Sequence, residues 1–480
     1  MKTLVSYMIM LTFFLFACSD DKEKTNFVDI EQTSFTFEKD GGSSMLDITT
    51  NTAISVRSTE TTWCEVAMYA SSPGNYQYKV TIKANTLSEP RDAKIIVTAK
   101  DLEKEIPVGQ AAGDKKEPIP EPEKFLMREK MTTQQLVDEM GLGINLGNTL
   151  DASGNWFDQT IQSNFETCWG SPIITKEIIE GYAKAGYSSL RIPVTWSNMM
   201  SDDYQIHPDL MDRVETILNW TLDCGMVAII NVHHENEWVK KAATDNEARK
   251  KFTSVWEQIS KRFEKYGDHL MFEPMNEIGY DEIWTTWSGT QADKAKAFGY
   301  VNDLNQLFVD IVRASGGNNA NRHLLVEIYN TGDAYAYDPL TKIPTDPANR
   351  LALTVHYYAP ALFAILGNGE DGGWGVGVPS WGTDEEFKEL NDAMEALKKN
   401  CVDNGIPVIV GEYACSPTNR TQEVVRLYCV SVTEAIYKNG MCPMFWDVPG
   451  AGQYERTTCK FKDPIFLEEM MAIPAKYPRN

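Results

Sequence analysis

Leu270-Met-Phe-Glu-Pro-Met-Asn-Glu277 and Val408-Ile-Val-Gly-Glu412 are two short apolar runs that each end in a glutamate. A carboxylate at the end of a buried strand is costly unless something uses or pairs it. Around these two, similar apolar runs recur at 143–147, 189–194, 227–232, 324–328, 351–355 and 444–446. Amphipathic stretches of helical period separate them, as at 210–224, 248–266 and 385–401. Strands that alternate with helices in this way predict an α/β fold with a parallel sheet, and eight of them predict a closed (β/α)8 barrel. An open doubly wound sheet would carry a glycine-rich phosphate loop after one of its strands, and none does.

The 480 residues exceed what one core holds, so a second domain is expected. Residues 27–112 supply it as short alternating strands broken by Gly41-Gly42 and Pro73-Gly74, the pattern of a small all-β Ig-like sandwich. Residues 113–124 are charged and proline-rich, predicting an extended linker, and the TIM barrel takes 125–480. Lys2 and the apolar run 4–16 predict a signal segment over 1–18. Leu15-Phe16-Ala17-Cys18 resembles a lipobox, which makes Cys18 the lipidated residue and places the protein at the outer membrane, facing the cell surface. The other eight cysteines show no CxxC spacing and no neighbouring histidine, so no metal site is predicted. A formal charge of −23 argues against nucleic acid and against anionic membrane surfaces, leaving the lipid as the only membrane contact.

The polar residues cluster where the strands end. Arg191 lies on the second strand, Asn231-Val-His-His234 ends the third, Asn276-Glu277 the fourth, His356-Tyr-Tyr358 the sixth, Glu412 the seventh and Trp446-Asp447 the eighth. Catalytic groups of such barrels sit at these ends. Glu273 shares parity with Glu277 but lies about 13 Å deeper at about 3.3 Å per residue, which predicts a buried structural role.

These motifs, together with Leu190-Arg-Ile-Pro193, Gly143-Ile-Asn-Leu-Gly-Asn-Thr-Leu-Asp151 and Glu166-Thr-Cys-Trp-Gly170, resemble glycoside hydrolase family 5, in its endo-β-1,4-glucanase and xyloglucanase branch. The sandwich resembles the BACON module. The resemblance implies a monomeric retaining β-glucanase without cofactor, acting on xyloglucan, mixed-linkage glucan or soluble cellulose. A β-mannanase of the same fold and a non-catalytic glycan-binding protein are the alternatives. It makes Glu277 the acid/base and Glu412 the nucleophile, with Arg191 and Tyr358 holding Glu412, Asn276 on the 2-hydroxyl, His233 and His356 orienting the groups, and Trp446 stacking under the sugar. The acid is expected to have a raised pKa and the nucleophile a lowered one, with the carboxyls about 5–5.5 Å apart. His234 is read either as a packing residue or as a sugar contact. Trp169 is read by resemblance as a sugar contact, or else as a cap on the barrel mouth. Trp374 and Trp381 remain open between binding and packing, and Tyr76 and Tyr78 between a binding face and the sandwich core.

Overall fold

The computed structural model describes residues 26–114 and 117–479. The signal segment and Cys18 lie outside the described residues. Among those described, no helix is long and apolar enough to cross a membrane.

The N-terminal unit is a β-sandwich of two four-stranded sheets. One sheet runs Val28–Asp29, Gly42–Thr50, Asn75–Ile82, Cys64–Ser72 in spatial order; the other runs Phe35–Phe37, Leu102–Gln110, Arg91–Ala99, Ser55–Ser58. Alternation does the packing, as Leu46, Ile48, Val80 and Ile82 meet Ile95, Val97, Ile106 and Val108 in one core. Tyr78 is buried in that core, which assigns it to packing; Tyr76 lies against it half-buried. The guanidinium of Arg91 sits 4.4 Å over the Trp63 ring.

The C-terminal unit is a closed barrel of eight parallel strands: β1 Gly143–Asn145, β2 Ser189–Ile192, β3 Val227–Asn231, β4 Leu270–Glu273, β5 Leu324–Gly332, β6 Leu351–His356, β7 Val408–Tyr413 and β8 Cys442–Phe445. Helices cover it, among them Pro208–Asp223, Asn246–Phe263, Gln291–Ala314, Asp384–Asn400 and Gln422–Lys438. Their starts are fixed locally: Asp245 accepts the Ala248 N–H, and Thr290/Asp293 and Thr383/Glu386 form capping boxes. The packed region begins earlier than expected. Ile119 lies in the barrel's core, and Lys124 is buried in an ion pair with Asp223, so the proline-rich stretch is a linker only in its first half.

Strand parity divides the barrel into layers. Ala228, Ile230, Phe272 and Val326 face the helices, while Val227, Ile229, Met271, Leu325, Ala352 and Ile409 fill the interior, closed below by Leu136, Val137 and Met140. Gly143 is required there, because a Cβ would lie 2.0 Å from the Met444 sulfur. Two residues further along the same inward series, the chemistry changes. Ser189 is followed by Arg191, Ile229 by Asn231, Met271 by Glu273 and Leu325 by Glu327, all buried. The apolar floor thus carries a polar storey directly beneath the mouth.

Candidate active site

Arg191 organises that storey. Its Nε bonds Glu273 Oε2 at 2.7 Å, Nη1 bonds Asn145 Oδ1 at 3.0 Å and Glu412 Oε1 at 2.7 Å, and Nη2 bonds Asn276 Oδ1 at 2.8 Å. One guanidinium therefore ties β1, β4 and β7 together. Glu273 is buried on Arg191, as its depth predicted. The sequence reading gave Arg191 to Glu412 alone; the structure divides it between the two carboxylates.

The Tyr358 hydroxyl donates to Glu412 Oε2 at 3.1 Å. The Glu277 side chain is 42% exposed at the mouth, and its Oε1 lies 2.8 Å from His356 Nδ1. The same ring nitrogen lies 3.6 Å from Glu412 Oε2, and one oxygen of each glutamate and the imidazole nitrogen all fall within 4.8 Å of one another. Asn231 accepts the Val194 N–H through Oδ1, so its amide nitrogen faces His233 Nδ1 at 3.0 Å. That makes Nδ1 the acceptor and puts the ring proton on Nε2, which points toward Glu412 at 3.9 Å. Trp446 lies parallel to the His233 ring, centroids 5.7 Å apart. Glu277, Glu412, Asn276, His233, Tyr358 and Trp446 line a cleft of about 440 Å³.

Residues 150–452 match the cellulase family, glycosyl hydrolase family 5, and residues 50–111 match BACON, described as a putative N-terminal binding domain. A xyloglucan-specific endo-β-1,4-glucanase of Bacteroides ovatus is 30% identical over 95% of this chain and 93% of its own length. The structure of a Bacteroides ovatus family 5 xyloglucanase with a XXXG heptasaccharide aligns over 93% of this chain and 99% of that one, at 28% identity and a TM-score of 0.63. A broad-specificity endoglucanase from an uncultured bovine rumen ciliate aligns over 72% of this chain and 99% of its own, at 32% identity and a TM-score of 0.65. The chain belongs to glycosyl hydrolase family 5.

In this family 5 barrel the shifts of the two glutamates run opposite to the sequence expectation. Burial would raise Glu277, but the hydrogen bond and charge of His356, with Arg191 and His234 behind, hold it below the ordinary carboxylate range. Burial pushes Glu412 above that range, against the pull of His356 and Arg191. His356 is raised: burial opposes its charge, yet the Glu412 and Glu277 carboxylates outweigh it. The three groups are close enough to titrate as one coupled set. His233 is held well below its ordinary value by burial and by His234, and is neutral.

The less certain aromatics separate cleanly. His234 is 41% exposed in its side chain, with Nε2 3.4 Å from Asp151 Oδ2 and the Trp169 ring 5.4 Å away. Trp169, also partly exposed, is anchored by its indole N–H to the Ser153 carbonyl. Trp374 is exposed, whereas Trp381 is buried against Phe387 and Tyr428. Asp151 was quoted in a motif but given no role; it is buried, its carboxylate held by the N–H groups of Asn148 and Thr149. Asp151, His233 and His234 bring three metal-ligating atoms within 4.8 Å, as do Glu277, His356 and Glu412. Asn145, Asn231 and Glu327 carry no role in the sequence reading, although each is a polar residue at an inward position of a predicted strand.

Proposed function

We propose that this chain is a retaining endo-β-1,4-glucanase acting on xyloglucan or related β-glucans, with Glu412 as nucleophile and Glu277 as acid/base. The observation that carries the reading is the close approach of two unequal carboxyls. Oxygens of Glu277 and Glu412 lie within 4.8 Å, one glutamate fixed by Arg191 and Tyr358 and the other, among the described residues, by His356. An approach this close fits attack by the carboxylate itself.

A glucan chain lying over Trp446 covers Glu277 and strips its water, which favours the neutral carboxyl. The proton moves from His356 Nδ1 to Glu277 and from there to the leaving glycosidic oxygen. Glu412 meanwhile bonds the anomeric carbon and the carbon–oxygen bond breaks. Glu277, now a base, takes a proton from water, which attacks the same carbon and releases Glu412 with configuration retained. The 2-hydroxyl falls to Asn276, whose Oδ1 on Arg191 leaves its amide nitrogen free to donate outward.

Product analysis of digests of xyloglucan, mixed-linkage glucan and β-mannan tests this. Internal cleavage of one of the glucans with retained anomeric configuration is expected. Cleavage of mannan alone, or of none of the three, overturns it. We further propose a lipid anchor at Cys18 and a surface location, supported by the N-terminal sequence. Fractionation of Cys18→Ser should find the protein released from membranes.

A further inference from the structure

Glu277 stands in a left-handed backbone conformation, φ 53°, where a residue with a Cβ is strained. Something must hold it there. The turn that follows is laced to β5: the Ile278 N–H bonds Glu327 Oε1, the Ile278 carbonyl accepts from Asn330 N at 2.9 Å, and the Tyr280 N–H reaches Tyr329 Oη at 2.9 Å. Glu327 is itself clamped. Asn305, from the helix Gln291–Ala314, accepts the Glu327 N–H at 3.0 Å and donates to its carbonyl at 2.6 Å.

We propose that Glu327 is a positioning residue for Glu277: by holding the Ile278 N–H it locks the left-handed turn that delivers the Glu277 carboxyl to His356. This rests on the reading of Glu277 as the acid. Glu327 is 2% exposed, and no arginine, lysine or histidine pairs with it among the described residues. The charged groups that act on it are Glu273 from β4, Glu277 from the turn and Arg191 from β2. Burial and the two neighbouring carboxylates push it well above the ordinary range, against the Ile278 N–H and Arg191. Burial favours its neutral form, and the role the geometry gives it is that of an acceptor for one N–H. Glutamine keeps that acceptor and leucine removes it.

The test compares kcat/KM on cellohexaose, whose sugar leaving group needs a proton, with 2,4-dinitrophenyl β-cellotrioside, whose leaving group does not. Glu327→Leu should lose on the order of 100-fold on cellohexaose but stay within about threefold on the dinitrophenyl glycoside. Glu327→Gln should stay within about threefold on both. Equal loss on both substrates, no loss in Glu327→Leu, or a Glu327→Gln as impaired as Glu327→Leu overturns the proposal. If Glu327→Leu does not fold, the pH profile of Glu327→Gln decides: an unchanged profile supports a neutral acceptor, and a displaced limb of more than about half a unit overturns it. Glu277→Ala is the separate control. If it loses both substrates equally, the acid assignment fails whatever Glu327 does.

Discussion

The two ends of this barrel both bury ionic groups, and they treat them in opposite ways. At the end where the strands begin, Asp268 is wholly buried and receives the Arg128 amide at 2.7 Å, the Arg128 Nε at 2.8 Å and Arg350 Nη1 at 3.3 Å, with His323 Nε2 at 3.5 Å. Burial alone would raise this carboxyl, but the hydrogen bonds from His323 and Arg128 bring it down to about 2. At the mouth, Glu273, Glu277, Glu327 and Glu412 stand around one arginine, and burial pushes two of them up. A hollow of about 660 Å³ lies at the closed end, beside Arg128, Glu139 and Arg479, and none of the strand-end glutamates lines it. Saturated charge marks structure here, and under-compensated charge marks chemistry.

The largest effect that sharpens this contrast is on rate. Glu412→Ala should lower kcat by on the order of 10⁴-fold or more while stability changes by no more than about 1 kcal/mol, because Arg191 keeps Glu273, Asn145 and Asn276. Initial rates and thermal melts on one preparation check both parts; wild-type-like activity would break the assignment. The next effect is on stability. Asp268→Ala leaves the buried Arg350 without its anion, while Arg128 keeps Glu139, and should destabilise the barrel by about 3 kcal/mol, with kcat unchanged in the folded fraction.

Their pH signatures differ in sign. Asp268 is depressed on folding, so its contribution, about 2–3 kcal/mol, is present above its unfolded pKa of about 3.9 and lost as the pH falls toward about 2. Glu412 is raised on folding, so the cost of its charge appears as the pH rises through its folded value. Melting temperatures across pH 3–8 should therefore show Asp268→Asn losing most near neutrality, and Glu412→Gln gaining there relative to acid.

What was legible in the chain follows the same division. The eight strands could be read because each is an apolar run with polar residues crowded at one end, and period-two parity alone assigned Glu273 to the interior. Long-range hydrogen bonding was not legible. Nothing in the segment 324–328 shows that Glu327 reaches the amide after Glu277, since that contact spans 49 residues and exists only when β4 and β5 lie side by side. Nor could local sequence give the directions in which Glu277 and Glu412 shift, which depend on His356 standing between the two carboxylates. The linker ran too far in the reading because Ile119 and Lys124 look like any residues of a proline-rich tract until the core receives them.

The smallest effects come from two tryptophans seven residues apart in the loop after β6, which composition could not tell apart. Trp381 obeys the rule of the closed end: 5% exposed, it packs at 4.8 Å on Phe387 and 5.1 Å on Tyr428. Trp381→Ala should lower stability by about 3 kcal/mol and leave KM alone. Trp374 obeys the rule of the mouth. It is 57% exposed on a turn held by the Gly372 N–H on the Gly375 carbonyl and the Gly373 N–H on Asp371 Oδ1. A large apolar ring fixed in water gains nothing for the fold, so its removal should leave the melting temperature in place. If the glucan chain stacks on it, Trp374→Ala costs about 0.5–1.5 kcal/mol of binding, a rise in KM of roughly two- to tenfold on polymer. Short aryl glycosides, which do not reach beyond the catalytic residues, should keep their KM. A fall in melting temperature in place of the rise in KM would return Trp374 to packing and erase the distinction between the two.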